Sequence, residues 1–220
     1  MNEAISLMFW VMTFVGFASY LYLGVQAFTR IKKVPFRFFH HLPYELHDLY
    51  FDVRQRLPYM RYLLIVAVVS LFAYWEGLFV YPSLPISYVL LGIMTLFLFG
   101  LLSIFMFQPK RIETYLLVVT LYLVMAVAML FFASYVLFVS PFGVWQGFLP
   151  WTTLCQGVFQ LVLLLNPKLK QWAVLEKVES ANEKPLYRRP THFVMASTQW
   201  LTLVNVLVWV VLTQIAWFIA

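Results

Sequence analysis

Charged side chains are scarce in this sequence, and their scarcity excludes an ordinary water-soluble domain. Only 11% of the 220 residues are charged, whereas a soluble domain usually carries about 25%. Hydrophobic residues make up 63% of the chain, and the mean hydropathy is +0.84. A single water-exposed globule cannot bury so much apolar surface, so the composition predicts a protein whose solvent is the lipid bilayer.

Cysteines, intramembrane histidines and catalytic motifs are also lacking. Cys155 is the only cysteine, so no disulfide forms within the chain. We expect it to be a small buried hydrophobic residue rather than a nucleophile. No histidine lies inside an apolar run, which argues against a haem held between two histidines. The motifs G-x-S-x-G, H-E-x-x-H and the P-loop are absent. We predict no catalytic residue, metal or cofactor.

Six apolar runs meet the requirement of a membrane helix for about 20 mostly apolar residues. They predict an all-α integral membrane protein, in which a six-transmembrane-helix bundle forms one domain over residues 1–220. The first run lacks a preceding basic region and a clear A-x-A cleavage site, so we retain it as a span. The predicted spans cover residues 5–28, 62–81, 86–107, 115–139, 148–165 and 193–218.

All 15 lysines and arginines lie in three connections between these spans, at residues 29–61, 108–114 and 166–192. Basic residues concentrate on the cytoplasmic side of membrane proteins. We therefore expect the three connections in the cytoplasm and both termini on the outer side, as in a bacterial cytoplasmic membrane. Topology then explains the net charge of +6, and we predict no nucleic-acid partner. Five tryptophans are expected near the outer interface: Trp10, Trp75, Trp145, Trp151 and Trp217.

Polar side chains inside the spans are candidate functional groups. Glu76 is the only charged one, and we favour a carboxylate that snorkels to interfacial water or makes a structural hydrogen bond over a proton or cation site. Gln156 and Gln160 share one face of the fifth span, and Asn205 belongs to a polar stripe in the sixth. Gln160 and Asn205 fall at similar depth, so we expect their amides to meet. This polar pattern suits either a path for a solute or a set of hydrogen bonds that hold the two helices together. We favour the second interpretation.

Small residues also lie inside the spans, where they permit helices to approach closely. Gly16 and Gly24 occur in the first span, and Gly100 and Ser103 occur in the third. None of them forms a G-x-x-x-G motif.

Residues 36–62, FRFFHHLPYELHDLYFDVRQRLPYMRY, hold three of the four histidines and three of the nine acidic residues. When 100° per residue is counted from Pro43, one arc holds Leu46, Leu49, Tyr50, Val53 and Leu57, with the acidic residues opposite. This pattern predicts a short amphipathic helix of about 14 residues at the cytoplasmic interface, in contact with anionic lipid. The candidate cytoplasmic interaction site comprises His40, His41, Glu45, His47, Asp48 and Asp52.

A zinc site is the alternative interpretation of this segment, since histidines and carboxylates together bind such ions. It requires His40 or His41 to fold back beside His47, Asp48 or Asp52. The segment has no pair of histidines at i and i+4. We therefore favour, over a zinc site, histidines that lie on the surface and titrate near neutral pH.

The other long connection, NPKLKQWAVLEKVESANEKPLYRRP, has no decisive periodicity. Its alternating AVLEKVE segment and polar SANEK turn suit either a small hairpin or a helix and turn.

Three functions are compatible with these features. The favoured one is a non-enzymatic scaffold or accessory subunit, which binds another membrane protein or a second copy of itself. The second is a transporter or channel for a small solute or lipid that uses the polar stripe between the fifth and sixth spans. The third is a membrane-embedded enzyme that acts on lipid through the histidine-rich segment.

Overall fold

The computed structural model describes residues 3–46, 58–79, 85–106, 112–139, 147–171, 176–178, 186–188 and 193–219. These residues form a bundle of apolar helices and one short pair of strands. The helices are α1 (Glu3–Lys32), α2 (Pro58–Phe79), α3 (Pro85–Met106), α4 (Ile112–Val139), α5 (Leu149–Leu164) and α6 (Val194–Ile219). Between α5 and α6 lie a 3-10 helix (Pro167–Gln171) and the strands β1 (Glu176–Val178) and β2 (Leu186–Arg188).

Five helices, all except α5, are long and apolar enough to cross a membrane. Each has at least 22 residues and is at least about 33 Å long, which exceeds the hydrocarbon core of about 30 Å. This confirms a helical protein with multiple apolar spans. The prediction of a sixth span at residues 148–165 is not confirmed, because α5 has only 16 residues. Pro167 follows it closely, and a proline disfavours helix in the residue before it.

Local backbone chemistry sets several helix ends. α1 continues to Lys32, beyond the predicted end at residue 28, and stops where Lys33 adopts a left-handed φ of 54°. α2 begins at Pro58 and α3 at Pro85. A proline is favourable in the first turn, where its missing N–H has no partner within the helix.

Glycines permit two close helix contacts. A Cβ atom at Gly16 of α1 would lie 2.8 Å from the Cβ atom of Ala67 on α2. A Cβ atom at Gly100 of α3 would lie 3.1 Å from the Cα atom of Tyr122 on α4. Larger residues would force these backbones apart, so the predicted role of both glycines in close packing is confirmed.

α6 is the central helix, because its side chains contact every other helix. Gln214 contacts Ser6 of α1, Trp209 contacts Trp75 of α2, Trp200 contacts Phe105 of α3, Gln199 contacts Tyr115 of α4, and Thr202 contacts Gln160 of α5. These contacts extend along the whole length of α6. The helix therefore connects the others from one end of the bundle to the other.

The predicted amphipathic helix has only its first turn among the described residues. Helical backbone begins at Tyr44, and the Leu42 N–H donates a hydrogen bond to Glu45 Oε1 at 2.9 Å. This is the return bond of a capping box at a helix N-terminus. Leu46 is buried, as its place in the apolar arc predicts. Residues 47–57 lie outside the described part of the chain, so the predicted helix is not confirmed.

The second long connection contains an antiparallel strand pair. Glu176 pairs with Arg188, and Val178 pairs with Leu186. Of the two interpretations of this segment, the strand pairing agrees with the hairpin.

Candidate functional site

A line of hydrogen bonds joins α5 to α6, and we call it the polar seam. It consists of Thr153, Gln156 and Gln160 on α5 and Thr202, Asn205 and Trp209 on α6. The Trp209 indole donates to the Thr153 hydroxyl at 3.0 Å, Asn205 Nδ2 to the Gln156 carbonyl oxygen at 3.2 Å, and Gln160 Nε2 to the Thr202 hydroxyl at 2.7 Å. Residue numbers rise along α5 as they fall along α6, so these two helices run antiparallel.

The two amides that the sequence places at one depth meet in this seam. Asn205 Nδ2 lies 3.5 Å from Gln160 Oε1, which is the long limit of a hydrogen bond. Gln160 donates to Thr202, which in turn donates to the carbonyl oxygen of Thr198 at 2.8 Å. The expected contact between Gln160 and Asn205 is therefore confirmed, as part of a chain of donors and acceptors.

Gln156 leaves a buried polar atom in the seam. Its backbone carbonyl oxygen accepts the bond from Asn205, but its side-chain Oε1 has no hydrogen-bond partner among the described residues. Gln160 and Thr153, in contrast, are fully buried and hydrogen-bonded. Most of the seam therefore holds α5 against α6, and Gln156 Oε1 remains available to another donor.

Other faces of α6 carry hydrogen bonds that the sequence analysis missed. Gln199 Oε1 accepts a hydrogen bond from the Tyr115 hydroxyl at 3.0 Å, and Gln214 Oε1 accepts one from the Ser6 hydroxyl at 3.3 Å. Both glutamines are buried. Glutamine is unusual inside an apolar span, so residue type alone could have identified these positions.

Glu76 lies apart from the polar seam. It is exposed on α2, whereas the preceding residue, Trp75, is fully buried. Tyr62, Val69 and Glu76 recur every seven residues and are all exposed, so the carboxylate points out of the bundle. It has no hydrogen bond or ion pair among the described residues. The structure thus brings Gln156, Gln160 and Asn205 together and separates Glu76 from them.

Trp75 packs inside the bundle, against side chains of α3 and α6. Its ring centroid lies 5.8 Å from that of Trp209 and 6.2 Å from that of Phe97. Its indole N–H is buried without a hydrogen-bond partner among the described residues. Burial keeps this indole away from interfacial water, because α2 directs it towards α6. Trp151 does remain largely exposed, at 58%.

His41 connects the segment after α1 to α6. Its Nδ1 accepts the Arg37 backbone N–H at 3.0 Å, and its ring stacks on Phe36 with centroids 5.0 Å apart. The carbonyl oxygen of His41 accepts the Trp200 indole N–H at 2.9 Å. The His40 ring packs edge-on against the His41 ring. These contacts give His41 a structural role, and Glu45 has one as the cap of Leu42.

The proposed metal ligands are only partly described. His40, His41 and Glu45 belong to the described residues, whereas His47, Asp48 and Asp52 lie outside them. Within the described ranges, no three His, Cys, Asp or Glu side chains are close enough to hold a metal ion together.

Cys155 is exposed on α5, so the expectation that it is buried is wrong. Thr153 and Gln156, which lie near Cys155 in the sequence, face α6. Cys155 therefore lies on the side of α5 that faces away from the bundle.

Comparisons with known proteins give no relative for this chain. No family model, curated protein or solved structure matches it. The polar seam and the outward carboxylate of Glu76 are therefore interpreted from their own chemistry.

Proposed function

We propose that this chain is a non-enzymatic, multi-pass membrane protein that serves as a scaffold or accessory subunit of a membrane complex. The observation that carries the proposal is the outward carboxylate of Glu76, which lies apart from the hydrogen-bonded side chains of the polar seam. The polar seam supports a stable bundle. Glu76 supplies a polar group on the surface where another membrane protein would dock.

The energetics of Glu76 favour a partner helix. An acidic side chain at the centre of a membrane helix costs about 2.5–3.5 kcal/mol, and the cost falls towards the helix ends. Glu76 lies three residues from Phe79, the end of α2, so about 4.5 Å separates it from that end. A hydrogen-bond donor or cation on a partner helix would offset the remaining cost. Val69 and Tyr62, on the same face, would supply apolar contact area.

We further propose that α5 crosses the membrane, which gives six spans. The hydrogen bonds of the seam place α5 beside α6, and α6 is long enough to cross. α5 is about 24 Å long, and the 3-10 helix Pro167–Gln171 follows it after two non-helical residues, Leu165 and Asn166. With six spans, every basic residue of the chain lies on one side, which the positive-inside rule assigns to the cytoplasm. Both termini then lie outside, and a bacterial cytoplasmic membrane suits this plain pattern.

Site-specific photo-crosslinking tests the subunit proposal. A benzophenone amino acid at Val69, on the Glu76 face, is expected to crosslink a second membrane protein or a second copy of the chain. The same probe at Val204, exposed on α6, is the matched control. Glu76→Leu should abolish the Val69 crosslink and leave folding intact. A chain that stays solitary in mild detergent, without a crosslink from Val69, contradicts the proposal.

Solute passage along the seam is the second candidate, and the unpaired Gln156 Oε1 is the observation that favours it. A buried acceptor beside Asn205 can bind a donor group on a passing solute. In reconstituted vesicles, replacement of both Gln160 and Asn205 by leucine should abolish flux if the seam is a path. Flux that survives this change excludes the path, whereas a scaffold keeps its crosslink at Val69.

A further inference from the structure

An exposed surface that alternates cations with large hydrophobic side chains lies at the end of α1. We call it the aromatic–basic surface, and it consists of Arg30, Ile31, Lys32, Lys33, Val34, Arg37, Phe38 and Phe39, all of them exposed. The sequence has no acidic residue between Glu3 and Glu45, so no acid within this stretch neutralises its cations. Cations beside exposed apolar groups are the features that bind an anionic membrane interface.

The length of α1 places this surface at the depth of lipid headgroups. With 30 residues, α1 is about 45 Å long, whereas the hydrocarbon core is about 30 Å thick and the bilayer with headgroups about 40–45 Å. The helix cannot fit within the hydrocarbon alone. Its last turn, which carries Arg30 and Lys32, therefore reaches the layer of lipid phosphates.

The protein also holds the second half of this surface in place. The backbone N–H of Arg37 is bonded to the His41 ring, and the carbonyl oxygen of Phe39 accepts the Phe193 N–H at 3.0 Å. The N–H groups of His40 and His41 both donate to the Arg37 carbonyl oxygen at 2.9 Å. A surface that is already ordered loses less conformational entropy when it binds a ligand.

Aromatic residues in this turn divide between the protein interior and the surface. Phe36 packs against Phe28, with ring centroids 5.1 Å apart, and against His41. Phe38 and Phe39 remain 42% and 54% exposed. Phe38 also packs edge-on against Trp200, with ring centroids 4.9 Å apart, so the turn presents the exposed part of Phe38 and the more exposed ring of Phe39 beside Arg37. Exposed rings at headgroup depth gain free energy when they insert into the bilayer interface.

We propose that the aromatic–basic surface binds the headgroups of anionic phospholipids. The guanidinium of Arg37 and the neighbouring cations bind lipid phosphate, and the rings of Phe38 and Phe39 insert between the upper acyl chains. Arginine suits this role because its planar fork of N–H donors matches phosphate oxygens. The inference requires only that the chain is embedded in a membrane, and it does not depend on the proposed subunit function.

Lipid titration of the full-length protein tests this proposal. The protein in neutral detergent is titrated with tail-labelled phosphatidylglycerol and, separately, with phosphatidylcholine that has the same acyl chains. We expect tighter binding of phosphatidylglycerol. Arg37→Gln should weaken that binding about fivefold, the typical effect of one cation near an anionic surface, and leave phosphatidylcholine unchanged. Lys168→Gln, an exposed cation on the 3-10 helix, is the matched control and should change neither affinity.

A second variant separates the aromatic contribution from the charge. Phe39→Ser should weaken binding of both lipids, because ring insertion does not depend on headgroup charge. Arg37→Gln keeps the backbone atoms that bond to His41, so we expect it to fold, and an unchanged gel-filtration profile checks this.

Three results would overturn the proposal. One is equal affinity of the wild-type protein for the two lipids. A second is phosphatidylglycerol binding that persists when Arg30, Lys32, Lys33 and Arg37 are all replaced by glutamine. The third is displacement of phosphatidylglycerol by poly-glutamate at a concentration tenfold lower than that of the lipid, since the surface would then fit an acidic protein better.

Discussion

Trp209 of α6 donates its indole hydrogen bond to the hydroxyl of Thr153 on α5 at 3.0 Å, and both side chains are fully buried. Thr153 donates its own proton to the carbonyl oxygen of Leu149 at 2.8 Å, so its hydroxyl has a partner on each helix. The Trp209 ring also packs on Trp75 and Phe79. One residue therefore belongs both to the polar seam and to the aromatic core.

Thr153→Val should destabilise the protein by about 1–3 kcal/mol, because it leaves the buried indole N–H of Trp209 unpaired. Unfolding in mixed micelles with increasing sodium dodecyl sulfate measures this change. Thr152→Val is the matched control, since the Thr152 hydroxyl bonds only within its own helix turn, to the Leu149 carbonyl oxygen. Equal losses for the two variants would show that the bond between Trp209 and Thr153 contributes nothing specific.

Gly16→Ala should destabilise the bundle by about 1–3 kcal/mol, because the new methyl group would lie 2.8 Å from the Cβ atom of Ala67 and overpack the interface between α1 and α2. Gly92→Ala on α3 is the control, since a Cβ atom there has no neighbour within 4 Å. It should be neutral or stabilise the helix by up to about 1 kcal/mol. Thermal unfolding in one detergent compares the two variants, and a neutral Gly16→Ala would argue against the close contact.

The hydrogen bond between Gln160 and Thr202 should show measurable coupling. A double-mutant cycle with Gln160→Leu and Thr202→Val is expected to give about 0.6 kcal/mol, and at most about 1.7 kcal/mol, the range for hydrogen bonds between membrane helices. Unfolding free energies of the two single variants and the double variant supply the measurement. Additive effects would mean that the 2.7 Å bond does not stabilise the pair of helices.

Cysteine labelling from each side of the membrane tests whether α5 crosses. In a Cys155→Ala background, Gly147→Cys and Lys168→Cys place single thiols before and after α5. If α5 crosses, an impermeant maleimide should label residue 147 from outside in intact cells and residue 168 only from inside. Both glycine and lysine at these positions are exposed, so access does not bias the comparison. Labelling of both from the same side would reduce the spans to five.

Wild-type Cys155 supplies a further check on the same preparation. The side chain is exposed on the outer side of α5, and lipid would surround it if α5 crosses. An impermeant maleimide carries a charge, so it does not enter hydrocarbon. We expect no labelling in vesicles and rapid labelling after denaturation, whereas labelling of intact vesicles would indicate that water reaches α5.

Residue patterns along the chain were sufficient for the five long apolar helices, the close-packing glycines and the contact between Gln160 and Asn205. Each of these depends on position along a helix axis, which follows from a rise of 1.5 Å per residue. The outward direction of Glu76 and the burial of Trp75 were not predictable in this way. They depend on the rotation of α2 about its own axis, and a helix that is apolar on nearly all sides does not reveal which face is buried.

The sequence by itself determined that this chain forms apolar helices suited to a bilayer and where they lie along the chain, because hydrophobic length is a property of composition and order. Only the tertiary structure decided that α6 is the central helix, that the polar seam joins it to α5, and that Glu76 and the aromatic–basic surface remain outside. The physical reason is that hydrogen bonds and close packing select one rotation for each helix. Lipid solvates any apolar face equally well, so contact with lipid does not select the rotation of a helix.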